Sequence, residues 1–168
     1  MHPDLAACLT LISDATAGLD DEQAGERVGG RWSIAEIVEH LDRTYTGTVK
    51  GLQRCLDSGA ARASARTLRS RALTFWVVSL GRFPTGIEAP KHVVPTGRLR
   101  LSEVLARARA DLEAMNALID AAEARFGPGP VLDHPILGPF TPAQWRRFHH
   151  VHTRHHQKQI LDRRRRVS

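Results

Sequence analysis

A chain of 168 residues, 42% of them apolar, is long enough for one domain with a hydrophobic core and too short to expect two. Four arginines at positions 163–166 account for most of the formal net charge of +6, so the charge of the remaining chain is ordinary. Because the sequence has neither an apolar run of membrane-spanning length nor a signal-peptide pattern at its start, we expect a cytoplasmic protein that does not enter a membrane.

The N-terminal part of the chain is predicted to form a helix followed by a loop. Residues 3–18 begin with proline, which suits a first helical turn. Apolar residues recur there at helical spacing, namely Leu5, Leu9 and Ile12. Residues 20–31 are acidic and then rich in glycine, which predicts a loop.

The second predicted helix begins after Ser33 and runs to about Leu56. Ser33 suits the N-cap position, and Glu36 completes a capping box with it. The buried stripe is predicted to consist of Ile34, Ile37, Leu41, Tyr45 and Leu52. A narrower strip beside this stripe holds Glu36, His40 and Thr44. Local context leaves two interpretations of His40, a hydrogen-bonded histidine at the edge of the core or a metal ligand, while capping alone explains Glu36.

Residues 57–100 connect the second long helix to the third and have the least regular pattern. Residues 68–80 are an apolar run, which we interpret as a helix packed across the other helices. Residues 81–97 contain three prolines and predict a loop, long enough to cover another part of the molecule. His92 lies in that loop, where it is either solvated or in contact with a substrate.

The remaining helices predict the fold class. Residues 101–125 repeat apolar positions at intervals of three and four and end before Gly127-Pro-Gly-Pro130, so they predict a third long helix. Residues 131–140 form a structured connector to a fourth. Four long helices, with a long connection between the second and third, predict an all-α four-helix bundle over residues 1–162, followed by a basic tail at 163–168.

The fourth helix contains five of the nine histidines within eight positions, 149–156. A capping box of Thr141 and Gln144, with proline at the first helical position, predicts its start, and we expect it to end near Arg163. His152 and His156 lie one turn apart on one face. The same face carries three further side chains, Trp145, Phe148 and Gln159.

Two imidazoles on adjacent helical turns can chelate one divalent ion, as H-x-x-x-H pairs do in many zinc sites. The pair His152 and His156 therefore requires a third ligand from another element. Histidine nitrogens suit zinc, nickel, copper or iron about equally well, so they do not select one metal. We expect zinc or nickel first, with iron and manganese as further candidates.

Two other features are interpreted as structural. Cys8 and Cys55 sit in apolar helical patterns without the spacing of a metal or redox motif, so we expect both to be buried. The arginines of the tail have no interleaved aromatic residues and follow no nucleic-acid-binding motif, so we expect a solvated, frayed helix end that binds no nucleic acid.

Two motifs resemble the DinB superfamily, also called the YfiT-like metal-dependent hydrolases. They are Trp32-Ser-x-x-Glu-Ile-x-x-His40-Leu and, more than a hundred residues later, His152-x-x-His-His156-x-x-Gln159-Ile. The intervening segment His134-Pro-x-x-Gly-x-Phe-Thr-x-x-Gln-Trp145 is similar to a branch of that superfamily whose members have no known function. The resemblance spans residues 1–162.

This resemblance implies a DinB-type bundle with a divalent metal held by His40, His152 and His156. His149 and His155 are the substitutes if the register differs. Gln159 would line or brace the site, unless it is an ordinary surface glutamine. His134 would fix the turn before the last helix, and His150 would be exposed. The candidate lining residues are Gln159, Glu36, Thr44, Trp145, His155, His149 and His92.

The implied activity is enzymatic. Relatives in the superfamily include metal-dependent transferases that use low-molecular-weight thiols, so we expect the metal to activate such a thiol, or water, against a small-molecule substrate. The enzyme would then be a thiol S-transferase or a hydrolase, and the resemblance also allows a homodimer. The alternative is a non-catalytic, metal-binding bundle that acts as a stress-related binding module.

Overall fold

The fold is mostly helical in the computed structural model, which describes residues 1–81 and 89–167. Within those residues there are six α-helices: α1 Pro3–Thr16, α2 Asp21–Gly25, α3 Ile34–Ser58, α4 Leu68–Thr74, α5 Leu101–Phe126 and α6 Pro142–Val167. Two short strands, β1 Leu132–His134 and β2 Gly138–Phe140, form an antiparallel pair. The helical content agrees with the predicted all-α class, whereas the strand pair was not predicted.

Side-chain caps fix where the two histidine-bearing helices begin. At the start of α3, the Ser33 hydroxyl accepts from the Glu36 amide at 3.2 Å, and the Glu36 carboxylate accepts from the Ser33 amide at 2.9 Å. At the start of α6, Thr141 and Gln144 exchange the equivalent bonds at 3.2 and 3.0 Å. Both predicted capping boxes are therefore confirmed, and they set the register of the histidines on each helix.

The four longest helices pack against one another around a common core. α3 packs mainly on α5, α1 packs mainly on α6, and α3 also contacts α6. The predicted stripe of α3 is fully enclosed in this core: Ile34, Ile37, Leu41, Tyr45 and Leu52. Cys8 and Cys55 are buried too, as predicted. Since His40 lies beside the α3 stripe, the contact between α3 and α6 brings it toward the histidines of α6.

One segment differs from its prediction, and the structure of another is now specified. Residues 20–31 are not a loop throughout, because α2 forms within them, capped by the Asp20 carboxylate, which accepts from the Gln23 amide at 2.8 Å. Five residues are too few to give a periodic apolar signal, so this helix could only have been found through its cap. The connector at 131–140 is structured, as predicted, and its structure is the hairpin of β1 and β2.

The connection between α3 and α5 contains the predicted helix at residues 68–80, formed by α4 and a π-helical turn at Phe75–Ser79. Its packing is only partial. Val77 and Val78 are buried, while four other large apolar side chains are exposed, namely Leu68, Phe75, Trp76 and Leu80. In the loop predicted at 81–97, positions 82–88 lie outside the described residues, and Lys91–Val93 form a single 3-10 turn.

The C-terminal arginines differ from the predicted solvated tail. α6 continues to Val167, and the Arg163 side chain is only 9% exposed. It donates to the Trp32 carbonyl at 3.3 Å and pairs with Asp162 at 2.7 Å. The tail prediction is wrong for Arg163, because a helix that stays folded carries this residue back onto the loop before α3.

Among residues 1–81 and 89–167, no helix combines the length with the apolarity that a membrane crossing requires.

Candidate metal centre

Three histidine side chains from two helices meet in the interior. His152 and His156 lie one turn apart on α6, with their Nε2 atoms 3.1 Å from each other. His40 from α3 faces both, with ring centroids 5.3 Å from His152 and 4.7 Å from His156. One nitrogen from each ring lies within 4.8 Å of the other two, and all three residues are buried. Nitrogens this close can bind one ion together.

In two of the three rings, the nitrogen that faces away from the cluster has an acceptor of its own. His40 Nδ1 lies 2.9 Å from the Val93 carbonyl oxygen, and His156 Nδ1 lies 2.9 Å from Gln159 Oε1. Because both partners are oxygens that only accept, each Nδ1 carries the proton and each Nε2 carries a lone pair. A ligating histidine in a protein metal site typically has this arrangement, which fixes both its tautomer and its ring orientation.

Burial keeps the cluster neutral. It lowers the pKa of His156 to about 3, with a smaller effect from the neighbouring His40. It also lowers the pKa of His40, and it lowers the pKa of His152 well below the usual value for histidine. At neutral pH the three rings are therefore uncharged, with one nitrogen lone pair each, which is the state that binds a cation.

The donor set fits a divalent ion of the zinc type. Three neutral imidazoles make up the whole of this group within the described residues, without a carboxylate or a thiolate. A structural zinc site closes with four protein ligands, whereas a catalytic site has three and an open position. The composition of this cluster is therefore that of an open site.

A cavity of about 1050 Å³ adjoins the three histidines, so a reactant has room to reach the open coordination position. All three histidines form part of its wall. Much of the remaining wall is apolar and comes from α3, α4, the π-helical turn, the hairpin and α6, through Ile37, Leu73, Val77, Leu132, Leu137 and Phe148. A site that binds small molecules typically combines such an apolar wall with a few polar groups.

Three residues of α3 hold part of the connection between α3 and α5 over the cluster. The Glu39 carboxylate accepts from the amides of Thr96 and Gly97 at 2.8 and 3.0 Å. His40 donates to the Val93 carbonyl, and Arg43 Nε donates to the His92 carbonyl at 3.2 Å. The prediction that this loop covers another part of the molecule is correct for residues 92–97.

Sequence reasoning missed Glu39 and Val93 as parts of the site. Val93 acts through its backbone carbonyl, which no side-chain pattern reveals. Glu39 could have been noticed as an acidic residue beside His40, but only the fold shows that its carboxylate, which is 4% exposed, accepts three hydrogen bonds from the loop.

The predicted bracing role of Gln159 agrees with its contacts. Its Oε1 accepts from His156, and its Nε2 lies 3.3 Å from His155 Nε2. His155 is half-buried and lines the cavity, but it is not one of the three clustered histidines. Gln159 therefore orients the His156 ring from the side that faces away from the cluster, and it also contacts His155.

Four other candidates have different positions. Thr44, Trp145 and His149 line the cavity, as predicted. Glu36 does not line it, because its carboxylate is held by the Ser33 amide and by Arg27 Nε at 2.8 Å. The lining prediction is wrong for Glu36, and its cap accounts for its burial. His149 is enclosed in the protein, with its Nε2 3.0 Å from the Thr48 hydroxyl.

The other histidines lie at the edge of the site or outside it. His92 is exposed at the rim of the cavity, where its backbone rather than its ring is bonded. His134 accepts from the Ile136 and Leu137 amides at 3.2 and 3.1 Å, which is the predicted turn-fixing role. His150 faces away from the cluster as predicted, but it is not exposed, since it pairs with Asp4 of α1 at 2.7 Å.

Comparison with protein families gives a match over most of the chain. A family model described as "Protein of unknown function (DUF1569)" matches residues 6–163. Nothing matches among curated proteins or solved structures.

Proposed function

The chain belongs to the DUF1569 family, whose function is unknown, and from its histidine cluster we propose that it is a metal-dependent enzyme. The observation that carries the proposal is the convergence of His40, His152 and His156 in the wall of a large cavity. Three neutral ligands and an adjoining cavity favour catalysis over a purely structural metal. Zinc and nickel are the metals we expect first, with iron and manganese next.

The sequence motifs support a finer assignment. The segments that resemble the DinB superfamily contain all three histidines and Gln159, and four long helices with a long connection before α5 fit a bundle of that type. We therefore propose a DinB-type four-helix bundle.

The chemistry is proposed to be nucleophilic attack on an electrophilic small molecule. A divalent ion with neutral ligands supplies Lewis acidity, which lowers the pKa of water or of a thiol that it binds. The chain's own contribution is orientation: the Val93 carbonyl and Gln159 fix the rings of His40 and His156, and the apolar part of the wall gives the substrate a surface to bind.

Charge in the cavity favours a thiol over water as the nucleophile. Within the described residues its wall contains two acidic side chains, Asp133 and Asp162, and five cationic ones, namely Arg31, Arg43, Arg54, Lys158 and Arg163. Asp162 already pairs with Arg163. The excess of positive charge suits a low-molecular-weight thiol that carries anionic groups. We therefore place a thiol S-transferase before a hydrolase.

Metal analysis of purified protein tests the first step of this proposal. We expect about one ion per chain in the wild type and a loss of most of it in His156→Ala. His155→Ala is the matched control, because it removes the adjacent histidine and leaves all three proposed ligands in place. Unchanged metal content in His156→Ala would overturn the proposal.

The enzyme is then distinguished from a non-catalytic metal-binding bundle by removing the ion with a chelator. A structural metal stabilises the fold, so its removal would lower the melting temperature sharply, whereas we expect helicity and melting temperature to remain nearly unchanged. Conjugation assays with a panel of thiols and electrophiles, with and without the ion, measure the activity itself.

A further inference from the structure

Two glycines lie on the cavity side of α3, in the middle of a long helix. At 100° per residue, Gly47 and Gly51 both point within about 20° of the direction of His40. Both line the same cavity as the three clustered histidines. Glycine inside a helix destabilises it relative to alanine, so each position calls for a reason.

Packing explains Gly51. A Cβ atom added there would lie 2.5 Å from Leu132 Cδ2, in strand β1. The packing of the Leu132 side chain against α3 therefore favours glycine at this position, because a Cβ atom there would force that side chain to move.

Packing does not explain Gly47. A Cβ atom added there would meet no atom of the described residues within 4 Å, and the backbone φ is not positive. Neither crowding nor backbone conformation requires glycine, and a side chain would stabilise the helix. A side chain at this position would occupy part of the cavity. Its absence therefore favours a function for the open space.

The position of Gly47 along the helix shows which part of the cavity it keeps open. It follows His40 by seven residues, a rise of about 10 Å along the helix axis. The side chains that line the cavity from the neighbouring elements are largely apolar and include Leu73, Val77, Leu132 and Leu137. α3 itself adds polar side chains such as Thr48 and Arg54, so the space beyond the histidines is apolar on the side of these neighbouring elements. We call it the apolar chamber and define it by Gly47 and these four residues.

We propose that the electrophilic substrate is an elongated molecule with an apolar body, and that Gly47 determines the length of body that the enzyme accepts. Its reactive group lies at the histidines, and its apolar body extends along α3 through the apolar chamber. The position of the reactive end rests on the proposed function, while the binding of the apolar body depends only on the chamber.

Binding of probes to Gly47 variants tests this inference. Gly47→Leu should fill part of the chamber, and Lys50→Leu is the matched control, because Lys50 is exposed on the same helix and does not line the cavity. One probe is 1-decanol, which has no metal-binding group. The others are acetohydroxamate and decanohydroxamate, which share a metal-chelating head and differ in chain length.

We expect the wild type loaded with zinc to bind decanohydroxamate at least tenfold more tightly than acetohydroxamate. Gly47→Leu should weaken the binding of 1-decanol and decanohydroxamate at least tenfold and leave acetohydroxamate unaffected. Lys50→Leu should match the wild type for all three probes. Calorimetry measures the affinities, and circular dichroism checks the fold. Gly47→Met, which places an unbranched side chain in the same space, replaces the leucine variant if that variant does not fold.

Two outcomes would overturn the inference: a wild type that does not bind 1-decanol, or a Gly47→Leu protein that binds it as well as the wild type does. Failure of the proposed function gives a different result. In that case the wild type binds neither the metal nor acetohydroxamate. The affinities of the wild type and of Gly47→Leu for 1-decanol still decide the role of the chamber.

Discussion

His149 and His156 lie two turns apart on α6 and differ in what surrounds them, although burial affects both in the same way. Each is buried, and burial lowers the pKa of each to about 3. His149 bonds to the Thr48 hydroxyl and packs its ring on Tyr45, both within the protein interior. His156 is braced at Nδ1 by Gln159 and directs Nε2 toward two other imidazoles. A lowered pKa therefore identifies a buried histidine, and convergence of nitrogens identifies a candidate ligand.

The largest effect that separates the two histidines should come from His149→Ala. Removing an enclosed ring leaves a cavity beside Thr48, so we expect the free energy of unfolding of the metal-free protein to fall by about 2–3 kcal/mol. Metal content should stay at the wild-type level. Urea unfolding and elemental analysis measure the two quantities on the same samples.

The contrast between a structural His149 and a ligating His156 would be contradicted if His149→Ala lost its metal while keeping its stability. That result would move the ligand role from His156 to His149, which is one of the two substitutes, with His155, that the sequence allows.

Gln159→Ala should have the next largest effect, on metal affinity rather than on stability. Loss of the oxygen that orients His156 typically weakens metal binding by about 10–100-fold. Competition with a chromophoric chelator measures the affinity. The matched control is Gln157→Ala, because Gln157 lies on the same helix and donates to the Leu11 carbonyl at 3.4 Å instead of contacting a clustered histidine. Equal metal affinities of Gln159→Ala and Gln157→Ala would show that Gln159 has no role in metal binding.

The sequence was sufficient to predict the elements that hold the candidate ligands. Polar caps at Ser33 and Thr141 fixed the starts of α3 and α6, and the helical period then set His152 and His156 on one face. His40 required more than periodicity, because local context suited a core-edge histidine equally well. The resemblance of its motif to the DinB superfamily decided that prediction.

The parts that sequence reasoning missed depend on contacts between distant segments. Val93 contributes a backbone oxygen, and Arg163 is buried only because α6 continues past it and meets the Trp32 carbonyl. The different roles of Gly47 and Gly51 are equally invisible in the sequence, since they depend on how close the hairpin comes to each residue. Such features follow from the folded arrangement and from no local pattern.

The smallest predicted effect concerns pH and the neutral state of His149. Its pKa is about 3 in the folded protein and about 6.5 when unfolded, so between these values only the unfolded state binds the proton. Stability therefore falls as the pH drops below about 6.5, and this contribution is absent from His149→Gln. From pH 7 to pH 5.5 the metal-free wild type should lose roughly 1 kcal/mol more unfolding free energy than the variant does. Urea titrations at the two pH values measure this difference. If the two proteins lost equal amounts of unfolding free energy, His149 would take up its proton in the folded state. Its pKa would then not be lowered as that of His156 is.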